Sequence, residues 1–385
     1  MVDLTEFKSI SPYTDAEAAE ALSKVAEIPL ITKISQMMFP SESPDYLKNV
    51  LKQIQTVEQF QVLVMQRFVR WVLENTVANF SYDGVENINK DKKFLTLSNH
   101  RDIILDPAIT QLVLHLNGIP MTEIAVGDNL ISNEAIEWLI RSNRMIKVVR
   151  GVSARELYLS SQLLSRYIRL NITDQRSSIW LAQRQGRTKD GYDTTEQGLL
   201  KMLDMSGGED FQKNFEELNI IPMSISYEYE PCDILKAREI VISRSQKYVK
   251  AEGEDTNSIV TGVMQYKGDV HLHICEPLSA EEIAEAAACD KNERYQVIRR
   301  AIDRRVISGY KLFKNNYVAF DILNGSSKYA DKYEPADVEK FAAYMEKQMA
   351  QVEPEVDKAE LKEVFLNIYA NPVVTKELLE KGNLE

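Results

Sequence analysis

The stretch FLTLSNHRD, residues 94–102, joins an apolar run to a histidine and an aspartate. The run Phe94–Leu97 predicts a buried strand of a parallel sheet, because such strands are covered on both faces. Open α/β sheets place their ligands beyond the carboxyl ends of the strands, which is where we expect His100 to lie. A histidine that is held there by a neighbouring carboxylate has the chemistry of a general base acting on a hydroxyl.

Two carboxylates close to His100 are candidates for orienting its ring. Asp102 follows the histidine by two positions and Asp106 by six. Asp106 also stands directly before Pro107, a pairing typical of an N-cap followed by the first residue of a helix. A helix cap and an orienting role are compatible on one side chain, so both aspartates remain candidates.

The composition is that of a folded globular protein without a nucleic-acid partner. The 385 residues have room for one large α/β domain with helical additions, or for two domains. A net charge of −12 argues against nucleic-acid binding, because affinity for a phosphate backbone comes from excess lysine and arginine. Cys232, Cys275 and Cys289 are widely spaced, so we expect a reducing compartment, and neither a disulfide framework nor a zinc site.

The sequence predicts a cytoplasmic protein. Residues 1–6 are acidic and lack the apolar core of a secretory leader. No stretch reaches the roughly 18–20 unbroken apolar residues that a membrane span requires. A peripheral position on the inner face of the membrane remains open.

Hydrophobic periodicity predicts three regions. Residues 1–85 form a helical N-terminal region, residues 86–330 an α/β domain and residues 331–385 a helical C-terminal tail. In the middle region, short apolar runs alternate with helical patterns, which is typical of a mixed, mainly parallel sheet flanked by helices. The strands that we predict are Phe94–Ser98, Thr122–Val126, Met145–Val149, Ser178–Gln183, Ile220–Tyr227 and Val270–Cys275.

Three finer predictions concern the flanks of this region. Apolar residues at spacings of three and four predict a helix from Tyr46 to Phe80. Residues 244–268 are polar and predict an excursion without regular structure. The C-terminal tail predicts two or three amphipathic helices that are interrupted at Pro354 and Pro372.

Three more segments carry informative residues at predicted strands. With residues 94–102 counted as the first segment, the second is MIKVVR, residues 145–150, which ends in an arginine. The third, WLAQRQGRT, residues 180–188, follows a strand with glycine, arginine and threonine. The fourth is the strand IPMSISY, residues 221–227. An arginine fork and a hydroxyl beside a glycine suit the binding of a phosphate group.

Together with Asn99 and His100, these segments resemble the motifs of the glycerol-phosphate acyltransferase superfamily, in the same order over residues 94–278. The resemblance implies the acyltransferase fold, with His100 as the catalytic base and Asp106 or Asp102 as its orienting partner. The substrate-binding residues that it implies are Asn99, Arg101, Lys147, Arg150, Gln185, Gly186, Arg187 and Thr188.

Two positions depart from the pattern of that family. The family places its aspartate five positions after the histidine, where this chain has Leu105. It places a glutamate before the glycine of the third motif, where the nearest residue here is Gln185. Glutamine keeps the hydrogen-bonding shape of glutamate and loses its charge, so the acceptor can differ from that of the family.

The resemblance implies an enzyme that moves a fatty acyl group from coenzyme A or acyl carrier protein to a hydroxyl of glycerol 3-phosphate, in phospholipid biosynthesis. Since the thioester is already activated, no cofactor and no metal are expected besides this co-substrate. The implied partners are the acyl donor, the acceptor and a membrane surface. Two alternatives remain open: O-acylation of a lysophospholipid or an amino-acid lipid, and a lipid-binding scaffold without catalysis.

Two further features allow more than one interpretation. The helical stretch Val57–Val77 carries aromatic and basic residues that suit a membrane interface, although packing against the core is the more common fate of such a helix. His271 and His273 are two positions apart, which invites a metal site. Their apolar neighbours alternate with them, and this favours a half-exposed strand.

Overall fold

The computed structural model describes residues 5–383. The prediction that residues 1–6 are not a secretory leader concerns four residues that lie outside this range. Its centre is a seven-stranded sheet in the order β1-β7-β6-β2-β5-β3-β4. Every pairing is parallel except that of β6 with β7. The strands are β1 Val77–Asp83, β2 Leu95–Ser98, β3 Glu123–Gly127, β4 Met145–Val148, β5 Ile179–Ala182, β6 Ile220–Tyr227 and β7 Gly268–Ile274. The mixed, mainly parallel sheet flanked by helices is therefore confirmed.

Helices cover both faces of this sheet. Apolar residues of α5, α6 and α12 form a core on one face, and those of α8, α9, α13 and α14 form a core on the other. The helices are α1 Asp15–Val25, α2 Pro29–Met38, α3 Tyr46–Gln53, α4 Val57–Phe60, α5 Gln66–Thr76, α6 Leu105–Leu116, α7 Glu134–Ser142, α8 Ala154–Thr173, α9 Gln197–Asp204, α10 Phe211–Glu216, α11 Asp233–Ser245, α12 Glu254–Met264, α13 Ala280–Ala287, α14 Glu293–Gly309, α15 Lys314–Asn324, α16 Pro335–Met349 and α17 Lys358–Glu380. Short 3₁₀ turns occupy Thr5–Phe7, Val85–Asn87 and Asp128–Leu130.

The predicted helix from Tyr46 to Phe80 is wrong in its last part. Helix α5 ends at Thr76, and the chain continues directly into β1, which pairs with β7 at the edge of the sheet. The helix is also interrupted by a π-turn at Gln61–Met65. A partner strand almost 190 residues further along the chain decides this structure, so local periodicity did not reveal it.

Two predictions for the second half of the chain are also wrong. Residues 244–268 contain helix α12. Pro372 lies inside α17 instead of ending a helix. Pro372 has no N–H, so the carbonyl of Ile368, four residues earlier, lacks its helical donor. The loop at Gly191 packs against this carbonyl, since a Cβ at Gly191 would lie 2.5 Å from the Ile368 oxygen.

The C-terminal helices pack against the α/β region. A third apolar core joins α11 and α15 to α16 and α17. Tyr369 on α17 donates a hydrogen bond of 2.6 Å to Asp233 on α11, and Asn316 on α15 donates one of 2.8 Å to the Tyr369 carbonyl. The N-terminal helices form a fourth core. Among residues 5–383, no helix is both long and apolar enough to span a membrane.

Candidate active site

His100 lies just beyond the carboxyl end of β2, which is flanked by β5 and β6 in the middle of the sheet. Its side chain is 14% exposed, and its ring packs edge-on against Trp180, with 5.8 Å between the ring centroids. The Nδ1 atom lies 2.9 Å from Oδ2 of Asp106. The histidine thus reaches the surface from a rigid strand end.

Asp106 is completely buried and held on several sides. Its Oδ2 accepts hydrogen bonds from the backbone amides of Arg101, at 2.6 Å, and of Asp102, at 2.9 Å. Its Oδ1 accepts one from the Tyr227 hydroxyl at 2.8 Å. Burial raises the pKa of Tyr227 well above its usual value, so this hydroxyl keeps its proton. A carboxylate that is fixed in this way accepts a hydrogen bond from the protonated Nδ1 of His100, which leaves Nε2 with a lone pair.

Asp102 holds the turn that leads into α6 and makes no hydrogen bond to His100. Its Oδ1 accepts from the amides of Ile104, at 2.9 Å, and Leu105, at 2.7 Å. The predicted N-cap at Asp106 is wrong, since α6 begins at Leu105 and Asp106 is its second residue. Asp102 accepts hydrogen bonds from the free amides of this turn because its short side chain reaches the backbone two and three residues further on.

The second oxygen of Asp102 is buried, and it has no hydrogen-bond partner within the described part of the chain. Helix α12 lies directly against it, because a Cβ at Gly262 would be 2.0 Å from Oδ2. Burial, with the nearby charge of Asp106, raises the pKa of Asp102. The two predicted orienting residues therefore have different surroundings: one is fully hydrogen-bonded and touches the histidine, and the other closes the turn.

Asn99 and Arg101, both predicted to bind substrate, point into the protein. The Asn99 side chain exchanges hydrogen bonds with the backbone of Ile225 and donates one to Asp193. The Arg101 guanidinium is 2.5 Å from Asp193 and 3.3 Å from Glu230. These contacts fix the residues on either side of His100, so both side chains shape the turn.

Three charged residues that surround Arg101 were not predicted from the sequence. Lys236 donates to Glu230 at 2.6 Å and to the Arg101 carbonyl at 2.7 Å, and it is buried together with its partners. Asp193 joins the network from the loop after β5. Asp193, Glu230 and Lys236 are 92, 129 and 135 positions from Arg101, so no local pattern in the sequence connects them with it.

The loop after β5 brings the third predicted segment to the histidine. The Thr188 amide donates to the His100 carbonyl at 2.7 Å, and its hydroxyl donates to Asp193 at 2.9 Å. Thr188 is therefore occupied inside the protein, whereas Gln185 and Gly186 are exposed. The Nη1 atom of Arg187 is buried and has no hydrogen-bond partner among residues 5–383.

The basic residues of the second segment differ in their surroundings. Lys147 on β4 forms an ion pair of 3.1 Å with Glu137. Arg150 lies past the end of β4, where its amide donates to Asp128 and burial lowers the pKa of its guanidinium. Gly127 makes room for it, since a Cβ there would lie 2.8 Å from the Arg150 Nε.

Two apolar features that the sequence did not predict lie near these residues. A small apolar cavity borders the first turn of α6, and its lining includes Met65, Val69, Pro107, Leu112 and Met121. At the start of α8, close after Arg150, four large apolar side chains are exposed: Val152, Leu157, Tyr158 and Leu159.

The helical stretch after Val57 packs against the protein. Phe60 is buried, and Phe68 and Trp71 pack against the core beside α6. Arg67 donates to the Tyr46 hydroxyl. Of the aromatic residues that suited a membrane interface, Phe60 is therefore in the interior, and Phe68 and Trp71 are partly buried.

Comparison with known proteins gives two similarities. Residues 79–225 match the family model described as Acyltransferase. Among solved structures, the chain is similar to the 1-acyl-sn-glycerophosphate (LPA) acyltransferase PlsC from Thermotoga maritima, with 14% sequence identity and a TM-score of 0.37 over 74% of this chain and 92% of that chain. The search of curated proteins found no match.

Proposed function

We propose that the protein moves a fatty acyl group from a thioester to the hydroxyl of glycerol 3-phosphate, a proposal supported by the match of residues 79–225 to the acyltransferase family model. The observation that carries the proposal is the pair of His100 and Asp106, 2.9 Å apart at the carboxyl end of a central strand. Its imidazole has one nitrogen fixed by a buried carboxylate and is partly open to solvent. This is the arrangement that a general base for an alcohol requires.

In the proposed reaction, Nε2 of His100 accepts the proton of the acceptor hydroxyl while the hydroxyl oxygen attacks the thioester carbonyl. A C–O bond forms, the C–S bond breaks, and the imidazolium returns the proton to the departing thiolate. Asp106 holds the ring through Nδ1 and stabilises its positive charge. The step balances with the donor and the acceptor alone, so we propose acyl-CoA or acyl carrier protein as co-substrate, and no cofactor or metal.

We assign the phosphate of the acceptor to Arg150 and Arg187. The unpartnered Nη1 of Arg187 and the half-buried guanidinium of Arg150 support this assignment, because a cation removed from water is stabilised by an anionic partner. The exposed Gln185 and Gly186 lie on the same loop as Arg187. Lys147 contributes charge nearby while it is paired with Glu137.

The remaining predicted site residues have a positioning role in this proposal. Asn99, Arg101 and Thr188 bind to Asp193 and to backbone groups on both sides of His100. Their hydrogen bonds keep the histidine and the loop after β5 in register. We therefore expect their substitution to act through the geometry of His100 and to leave the contacts with substrate intact.

The small apolar cavity beside α6 is the proposed entrance for the acyl chain. Pro107 and Ile104 line it and belong to the same turn as Asp106, so an acyl group there would hold its carbonyl close to His100. Gln61 and Met65, the first and last residues of the π-turn, also line it. π-turns occur often at functional sites, where they re-aim side chains.

One observation favours a second acceptor, a lysophospholipid. The apolar side chains exposed at the start of α8 follow Arg150 closely and flank Arg155. Exposed apolar groups beside basic ones suit the boundary of an anionic bilayer. We propose on this basis a peripheral position on the cytoplasmic face of the membrane, with an acceptor that is drawn from it.

The test is thiol release from palmitoyl-CoA by the purified protein, with glycerol 3-phosphate, with 1-acyl-glycerol 3-phosphate and with neither. We expect release that requires glycerol 3-phosphate and that disappears in His100→Ala. His115→Ala, at the far end of α6, is the matched control and should keep full activity. Acyl carrier protein thioesters are the second donor to be assayed.

The outcomes separate the alternatives. Release only with 1-acyl-glycerol 3-phosphate would replace the proposed acceptor by the lysophospholipid. Release that persists in His100→Ala would overturn the role of the histidine. If neither donor supports release while the protein binds vesicles, the scaffold interpretation takes the place of the enzyme.

A further inference from the structure

A second group of histidine and aspartate side chains lies at the far end of the sheet from β4, on the edge formed by β1 and β7. We call Asp83, His271 and His273 the edge cluster. In the parallel register, Asp83 is the partner of His273, and Ser81 is the partner of His271. Side chains two positions apart on a strand point to the same face, so the register gathers all of them on one surface of the sheet.

The potential ligand atoms of the edge cluster lie within 4.8 Å of one another. Oδ1 of Asp83 is 2.5 Å from Nδ1 of His273 and 3.5 Å from Nε2 of His271. Two atoms that share one zinc ion, each at about 2.0–2.2 Å, can be no more than about 4.4 Å apart. The Asp83 side chain is 61% exposed, so it has room for the small adjustment that brings the three atoms to that spacing.

We infer that the edge cluster is a binding site for a divalent transition-metal ion of the zinc type. Two imidazole nitrogens and one carboxylate oxygen are a ligand set that zinc uses in proteins, with water in the fourth position. The exposed side of Asp83 leaves room for that water. The site is separate from His100, and its existence does not depend on the proposed acyl transfer.

The surroundings of the two rings prepare them for this role. Nδ1 of His271 lies 2.8 Å from the Ser81 hydroxyl. When Nδ1 carries the proton, it donates a hydrogen bond to the Ser81 hydroxyl, and Nε2 is free to bind metal. A ligating histidine usually makes such a hydrogen bond through its other ring nitrogen. The His273 ring packs against the end of α14, because a Cβ at Gly309 would lie 2.5 Å from its Cδ2. Both rings are therefore held before any ion arrives.

A simple ion pair across the strands explains the arrangement less well. Asp83 would have to serve two histidines at once, since its Oδ1 is 2.5 Å from Nδ1 of His273 and 3.5 Å from Nε2 of His271. One ion between the three side chains satisfies both histidines, whereas a single ion pair satisfies one of them. The nearby charge of Lys311 opposes a bound cation, so we expect a modest affinity.

Metal binding at this position would join the edge strand to its neighbour. β1 is the last strand of the sheet and is paired on one side only, and the ligands come from both β1 and β7. An ion that binds the folded state alone stabilises it by mass action. The expected consequence is a higher melting temperature in the presence of zinc.

The test is titration of the full-length protein, cleared of metal by a chelator, with Co²⁺ and with Zn²⁺. We expect one Co²⁺ per chain with the visible absorption of a four-coordinate site, and displacement of that cobalt by Zn²⁺. Asp83→Asn should abolish the signal, and Ser81→Ala should weaken binding by about 10–100-fold. Asp83 is exposed, so its variant should fold, which circular dichroism checks. His115→Ala is the control that should bind like the parent.

Two results would overturn the inference. One is the absence of Co²⁺ binding and of any Zn²⁺-dependent rise in melting temperature in the parent protein. The other is binding that is equally strong in Asp83→Asn and in the parent. Thiol release is measured separately in the same preparations, so failure of the metal site and failure of the proposed acyl transfer are distinguished.

Discussion

Among residues 5–383, aspartate faces histidine in two groups, and these differ in almost every physical respect. In the central pair, His100 and Asp106, the carboxylate is fully buried. It accepts hydrogen bonds from two backbone amides and a tyrosine hydroxyl, besides its contact with the histidine. In the edge cluster, Asp83 is 61% exposed and lies between two histidines. The same residue types thus occupy a buried position with several hydrogen bonds and a solvent-exposed position with few.

The difference teaches that the surroundings of the carboxylate decide the chemistry of the histidine. A carboxylate that is immobilised on several sides holds one imidazole in one orientation, as a general base needs. An exposed carboxylate between two imidazoles has freedom to adapt, as an incoming ion needs. Predictions that separate the two groups are therefore the most informative ones.

The largest effect is expected for His100→Ala. Loss of a general base lowers the rate of acyl transfer by about 10²–10⁴-fold. The measurement is the turnover of thiol release, with the melting temperature recorded alongside. If the variant kept the turnover of the parent protein, His100 would not be the general base. The proposed functional difference between the central pair and the edge cluster would then be wrong.

Asp106→Asn should follow, because it keeps the size of the side chain and removes the negative charge behind His100. We expect turnover to fall by about 10²-fold or more, as when the aspartate of a catalytic triad is replaced. Asp102→Asn keeps the oxygen that accepts from Ile104 and Leu105, and should cost less than about tenfold, or ~1.4 kcal/mol. The opposite order of the two variants would make Asp102 the orienting residue.

These two aspartates also show how far the sequence could lead. The apolar run Phe94–Leu97 and the polar residues after it predicted the strand before His100. They also predicted that the histidine lies at the carboxyl end of that strand. The choice between Asp102 and Asp106 could not be predicted. The two aspartates are four positions apart, and only the path of the chain through the turn into α6 determines which side chain faces His100. Asp106 lies inside that helix and not at its cap.

The rest of the site could not be predicted, because it depends on contacts between distant residues. Asn99 and Arg101 have the residue types of ligands, and only the fold places Asp193 and Glu230 beside them. β1 was missed for the same reason, since its strand partner is β7. Local sequence thus predicted six of the sheet's strands and the position of the histidine, and tertiary contacts decided which polar residues face inward.

Lys236→Met tests the charged network behind the central pair. The variant leaves the buried Glu230 with only Arg101 as an ionic partner. Breaking a buried pair on one side costs about 3–5 kcal/mol of unfolding free energy, and denaturant unfolding measures it. The matched control is Lys48→Met, which removes an exposed pair with Glu27 and should leave the unfolding midpoint unchanged. Equal midpoints for both variants would contradict the role of burial.

The smallest effect should come from Asp83→Asn in the absence of metal. Its ion pair is exposed, and pairs of that kind contribute about 1 kcal/mol or less, because water screens the charges and holding the side chains costs entropy. Denaturant unfolding in a chelator should therefore barely distinguish this variant from the parent, whereas added zinc should stabilise the parent alone. A loss as large as that of Lys236→Met would mean that the edge cluster is already structural without an ion. The freedom of its carboxylate, on which the contrast with the central pair rests, would then be lost.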